Sequence, residues 1–208
     1  MPLQAAFKSN HTEIMAFTVG IISASPQKNS NSLRFAKALQ HLLAERSFTE
    51  VQIVNFENYD IPWVGEGSID PKQLTDFQHR LINVWSKSDV VFIVSPEYNW
   101  SFSPQLINAL DQLGGKTFAH LFDNKVFALA GVSSGRGGRQ PALQLTTSLN
   151  KLINFLDGNS VIAPRIFESH ETDQMLDADG NFIGSEAYIK GATAFVEYAL
   201  RIAQRWFR

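Results

Sequence analysis

Three polar segments carry the residue types that could do chemistry, and each follows an apolar run. The first is Ser25-Pro26-Gln27-Lys28-Asn29-Ser30-Asn31-Ser32. A helix pattern starts within or just after it. A helix N-terminus offers free backbone N–H groups and the positive end of a dipole. Hydroxyl and amide side chains add donors and Lys28 adds a charge, which makes a cradle suited to a phosphate monoester. An ordinary polar loop with a Ser or Asn cap has the same composition, so both readings stand. The segment is neither G-x-x-x-x-G-K nor G-x-G-x-x-G.

The second segment is Pro96-Glu97-Tyr98-Asn99-Trp100-Ser101, directly after the run Val90–Val94. A continuous apolar run bounded in this way reads as a strand buried on both faces. In open α/β sheets, ligands bind just past the carboxyl ends of such strands. The third, Gly131-Val132-Ser133-Ser134-Gly135, also matches G-x-S-x-G, the nucleophile elbow of hydrolases, with Asp157 and His170 following in a workable order. An elbow needs its helix to begin straight after the Ser, and Arg136–Pro141 delays it.

The elements that must position these loops alternate along the chain. Strands are expected at 16–22, 51–56, 90–94, 126–132 and around Val161-Ile162. Helices are expected from about Ser30 to Arg46, Pro71 to Lys87, Ser103 to Leu113, Pro141 to Leu156 and Ser185 to Trp206. Five strands alternating with helices predict an α/β fold with one doubly wound parallel sheet and helices on both faces. Residues 16–208 form one domain in this reading. Residues 1–15 read as an N-terminal extension, with Met15 a candidate start.

Composition narrows the function. Lys+Arg number 18 and Asp+Glu 20, so no basic excess points to nucleic acid. There is no cysteine, which excludes disulfides, thiolate metal sites, iron–sulfur clusters and a Cys nucleophile. No apolar stretch approaches the roughly 20 residues that span a bilayer, and a cytoplasmic location is expected. The five histidines are scattered without an H-x-x-x-H pair, so no zinc site is expected. Asp177–Asn181 has a loop-like acidic pattern, but alignment on Gly180 puts Met175 where a calcium loop needs Asp. A β-turn is expected there. Trp85 and Trp206 read as packing residues; Trp63 fits a pocket cover, a dimer contact or core packing equally.

Taken together, the three loops resemble the NADPH-dependent FMN reductase family of flavodoxin-like proteins. That family's first loop is similar to S-P-R-K-x-S-x-[NT], where Ser25–Ser32 stands here. Its second motif, P-E-Y-N-x-S-x-P-x-x-L-K-N-A-[LI]-D, is closely matched by Pro96–Asp111. Its third, G-[AV]-S-x-G-x-x-G-G, is matched by Gly131–Gly138 with small spacing differences. The order agrees over about residues 16–165.

The resemblance implies roles. Ser25, Gln27, Lys28, Ser30, Asn31 and Ser32 would hold the FMN phosphate. Pro96, Glu97, Tyr98 and Asn99 would lie along the ring edge and ribityl chain, largely through backbone groups. Ser133, Ser134 and Gly135 would approach the ring. NAD(P)H would reduce the flavin, and a quinone, free flavin, azo dye or metal oxyanion would reoxidise it at the same site. No catalytic acid or base is implied, and the family usually forms homodimers or homotetramers. Nothing separates NADH from NADPH. Arg136 and Arg139 suit nicotinamide phosphates or, more simply, a solvated loop.

Two departures stand out. The family's phosphate-loop Arg is Gln27, which removes a bidentate clamp and leaves Lys28 as a point charge. The position after Asn99, often Gly, is Trp100, which suits either a substrate pocket or a subunit interface. The alternatives are a flavodoxin-like electron carrier or regulator and, less favoured, a hydrolase using Ser133.

Overall fold

The computed structural model describes residues 17–208; the expected extension 1–15 and the first residue of strand one lie outside them. Four strands fall where the apolar runs place them: β1 Val19–Ser23, β2 Gln52–Asn55, β3 Val90–Pro96 and β4 Val126–Val132. All pairings are parallel, in the order β2-β1-β3-β4-β5, where β5 is Val161–Ile162. This is the flavodoxin-like order, which reverses direction between β1 and β3. No helix among the described residues is long and apolar enough to cross a membrane.

Among the described residues the expected five strands are six. A short β6, Phe167–Ser169, also pairs with β4. It matches Ala130–Val132, while β5 matches Val126–Phe127. Pro164 lies between the two and has no N–H to donate, so one edge position is shared by two short strands.

Every residue of β1, β3 and β4 is buried, because helices cover both faces. Helices α1 Asn31–Ala44 and α6 Glu186–Trp206 pack over Ile21, Phe92 and Ala128. On the other face, α2 Asp76–Lys87, α3 Pro104–Leu113 and α4 Arg139–Phe155 pack over Ile22, Ile93 and Leu129. Phe92 meets Phe195 of α6 edge-on, with centroids 5.7 Å apart. Emptying such a position costs about 3–5 kcal/mol.

Caps set the helix starts. Ser30, Ser103 and Ser185 each accept from the N–H three residues on. Helix α2 begins at Asp76, five residues after the expected Pro71, because Thr75 and Gln78 form a reciprocal capping box. Pro71 sits in a turn instead. Helix α4 begins two residues before Pro141, after Gly138 with φ +109°. A single helical turn, α5 Thr172–Met175, was not anticipated. The 177–181 turn is present: the Asp177 carboxylate accepts from the Asp179 and Asn181 N–H groups at 2.9 and 2.8 Å. Trp85 is fully buried, whereas Trp206 is 40% exposed.

Candidate functional site

A cavity of about 210 Å³ opens at the carboxyl ends of β1, β3 and β4. One wall is Ser25 and residues 27–32, the second is Pro96–Tyr98, and the third is Val132–Ser134. Three loops far apart in sequence meet because their strands are neighbours. On the first wall, Ser30 spends its hydroxyl on the Leu33 N–H at 3.1 Å. Ser32, in the first turn of α1, is 1% exposed and its Oγ has no hydrogen-bond partner among the described residues. A buried hydroxyl without a partner is costly and points to a ligand atom. No acidic residue occupies that first turn. Lys28 is exposed at the rim.

The second wall is a tight turn. Tyr98 and Ser101 exchange backbone hydrogen bonds at 2.9 and 3.0 Å. Between them Asn99 and Trp100 both have positive φ, +50° and +65°. Two left-handed residues in sequence are the geometry that favours Asn-Gly, so Trp100 holds a conformation unfavourable by about 1–2 kcal/mol. Gln144 of α4 braces it. Its amide donates to the Trp100 carbonyl at 2.9 Å and its carbonyl accepts from Ser101 Oγ at 2.9 Å. The Tyr98 hydroxyl lies 3.5 Å from Ser25 Oγ, closing the first wall on the second. Behind them Ser103 Oγ donates to the Ala24 carbonyl at 2.7 Å.

On the third wall the Ser133 N–H donates to the Ser169 carbonyl at 2.9 Å, and its carbonyl accepts from Thr172. Ser169 Oγ in turn meets Thr172 Oγ1 at 2.6 Å and the Tyr188 hydroxyl at 2.5 Å. Burial pushes that phenol up to about 12, so it stays a neutral hydroxyl.

The model of the family described as NADPH-dependent FMN reductase matches residues 17–165. The chain belongs to that family. It is an NAD(P)H-dependent oxidoreductase of the FMN-using kind. Among curated relatives, a probable NADPH:quinone oxidoreductase 2 of Oryza sativa subsp. japonica is 26% identical over 84% of this chain and 83% of its own length. A 2-hydroxy-1,4-benzoquinone reductase of Burkholderia sp is 26% identical, over 92% of this chain and 99% of its own. Among solved structures, the flavoenzyme NAD(P)H:(acceptor) oxidoreductase FerB of Paracoccus denitrificans superposes with a TM-score of 0.69 at 22% identity, covering 91% and 98% of the two chains. That likeness supports the fold.

Of the expected site residues, eleven line the cavity: Ser25, Gln27, Lys28, Ser30, Asn31, Ser32, Pro96, Glu97, Tyr98, Ser133 and Ser134. Asn99, Trp100 and Gly135 do not; all three are exposed beyond it. The Gly135 carbonyl accepts from the Glu171 N–H at 2.9 Å instead. Arg139 is paired with Glu168 at 2.5 Å and Arg136 is exposed. The hydrolase arrangement is absent. Ser133 Oγ accepts from the Gly135 N–H at 3.1 Å, and His170 lies 3.6 Å from Glu168. Asp157 follows the far end of α4, a helix of 17 residues and so about 25 Å long.

Sequence reasoning missed Asn29 and Val132 in the lining and the Ser169–Thr172–Tyr188 cluster behind it. The cluster's hydroxyls lie 36 or more residues beyond Ser133 and carry no local signal. Asn108, part of the second motif, holds a different loop. It donates to the Tyr59 hydroxyl and the Pro62 carbonyl and accepts from the Val64 N–H. Trp63 on that loop stands 42% exposed, outside the cavity lining. A larger cavity, about 330 Å³, lies at the opposite, amino end of the sheet, around Phe17, Phe48 and Lys87. None of the three loops reaches it.

Proposed function

We propose that this protein oxidises NAD(P)H through FMN held in the carboxyl-edge cavity and delivers the electrons to a quinone-type acceptor. The observation that carries this reading is the unpartnered, buried Ser32 hydroxyl at the open start of α1. A phosphate there would accept from Ser32 Oγ and from first-turn N–H groups, with Lys28 and the dipole end supplying positive charge. Pro96–Tyr98 would support the ring edge and ribityl chain, and Ser133 and Ser134 the other side of the ring. The bound flavin supplies hydride acceptance and electron delivery. The chain's own part is to orient the ring and to leave one open face for nicotinamide and acceptor in turn. No side chain is assigned a proton.

The quinone preference rests on the names of the two curated relatives. A homodimer is also proposed. Trp100, Ile107 and Leu143 are 71, 40 and 41% exposed around α3 and α4, and a second copy would cover them.

The test is anaerobic titration of the FMN-loaded protein with NADH and NADPH, followed by a quinone, an azo dye and chromate. Bleaching by either nucleotide and fastest recovery with quinone are expected. Failure to bind FMN overturns the reading; recovery with the dye or chromate alone overturns the quinone preference.

A further inference from the structure

Glu97 makes contacts that ring binding through backbone groups leaves unexplained. Its backbone N–H donates to the Val132 carbonyl at 2.8 Å, the first residue of the third wall. Its carboxylate accepts from the N–H of Gly138, the residue just before α4. One residue of the second loop therefore holds both feet of the Ser133–Gly137 loop. The fit is close enough to dictate sequence. A Cβ on Gly137 would lie 2.6 Å from the Glu97 carboxyl carbon. One on Gly138 would lie 2.7 Å from the Gly131 carbonyl oxygen, and φ +109° already favours glycine there. Helix α4 has no cap from its own sequence, so the Glu97 carboxylate also faces the positive end of its dipole.

We propose that Glu97 is a positioning residue: its carboxylate ties the second loop to the third and fixes the Ser133–Ser134 wall against the flavin ring. This rests on the flavin reading above. A carboxylate suits the role because it only accepts, and a charge-assisted bond to a backbone N–H is roughly twice as strong as a neutral one. Glycines at 137 and 138 are then the counterpart of the strut rather than a phosphate-binding motif.

The experiment measures FMN and riboflavin affinities by quenching of flavin fluorescence, with thermal melting of each flavin-free variant alongside. The variants are Glu97→Gln, Glu97→Ala, Gly137→Ala and the Glu97→Ala/Gly137→Ala pair. Because the strut acts on the ring, Glu97→Ala should weaken FMN and riboflavin by the same factor, about tenfold for one charged hydrogen bond. Glu97→Gln keeps an acceptor oxygen and should stay within about threefold of wild type, a rescue that loss of charge alone would not allow. Gly137→Ala should match Glu97→Ala, since its methyl displaces the carboxylate. The pair should be no worse than either single change, because residues in contact do not add.

A purely structural role would lower melting temperatures and leave both affinities intact, and that result overturns the proposal. Losses confined to FMN, additive losses in the pair, or a Gln variant as weak as the Ala variant overturn it as well. If Glu97→Ala does not fold, the Gln and Gly137→Ala variants decide by the same contrast. Wild-type protein that binds neither flavin would overturn the flavin reading itself, and this proposal with it.

Discussion

Helices α1 and α4 both begin at the carboxyl edge of the sheet, on opposite sides of one cavity, and their first turns are built differently. At α1, Ser30 caps the helix and Ser32 Oγ is buried without a partner among the described residues. At α4, the N–H of Gly138 is taken by Glu97, and Arg139 by Glu168. The two ends share the same dipole, yet α1 presents a buried hydroxyl without a partner among the described residues, whereas at α4 a carboxylate already stands against the helix start. A glycine-rich loop with two arginines looks the better anion site on paper. The Glu97 carboxylate at its foot repels a second anion, and the less conspicuous serine loop is left.

The largest effect should come from the closed end. A Cβ on Gly131 would sit 2.7 Å from the Gly138 carbonyl carbon and 2.9 Å from Pro141 Cγ. Gly131→Ala should therefore cost about 3 kcal/mol of stability, the upper range for overpacking, as read by urea denaturation. Wild-type stability would break the picture of a rigid α4 start. At the open end, Ser30→Ala with Ser32→Ala should weaken FMN by about 1–3 kcal/mol in a fluorescence titration, with riboflavin unchanged. Equal losses for both flavins would move the phosphate elsewhere. Ser30→Ala alone should lose about 1 kcal/mol of stability through the missing cap.

Smaller effects sharpen the contrast. Gln27→Arg should tighten FMN by about 1 kcal/mol through a charge-assisted contact, checked by the same titration; it should leave riboflavin alone. Trp100→Gly should stabilise the protein by about 1 kcal/mol, since glycine relieves the strain at φ +65°. Its melting temperature should rise, and a fall would mean that the indole packs usefully.

Much of this was legible in the residues. The runs Val90–Val94 and Val126–Val132 announce central strands because both faces are covered, and Ser103-Pro104 announces a helix start. The cavity's three walls follow from strand ends alone. The capping box at Thr75 and Gln78 is also encoded locally, and it outweighs the preference of Pro71 for a first turn. Other features were not legible. Strand β6 has only Phe167-Glu168-Ser169, and its pairing is decided by β4 leaving an open edge. The grip of Glu97 on Gly138 joins residues 41 apart, and no local periodicity encodes it. The left-handed Trp100 contradicts its own propensity; the Tyr98–Ser101 pairing and the brace from Gln144 hold it there.

The central claim is that the open start of α1, rather than the closed start of α4, receives the flavin phosphate. A crystal structure of the protein with FMN tests it most directly. The account expects a phosphate oxygen within hydrogen-bonding distance of Ser32 Oγ and the first-turn N–H groups of α1, with the Glu97–Gly138 contact intact. A phosphate on the Gly135–Gly138 loop, with Glu97 displaced, would contradict it.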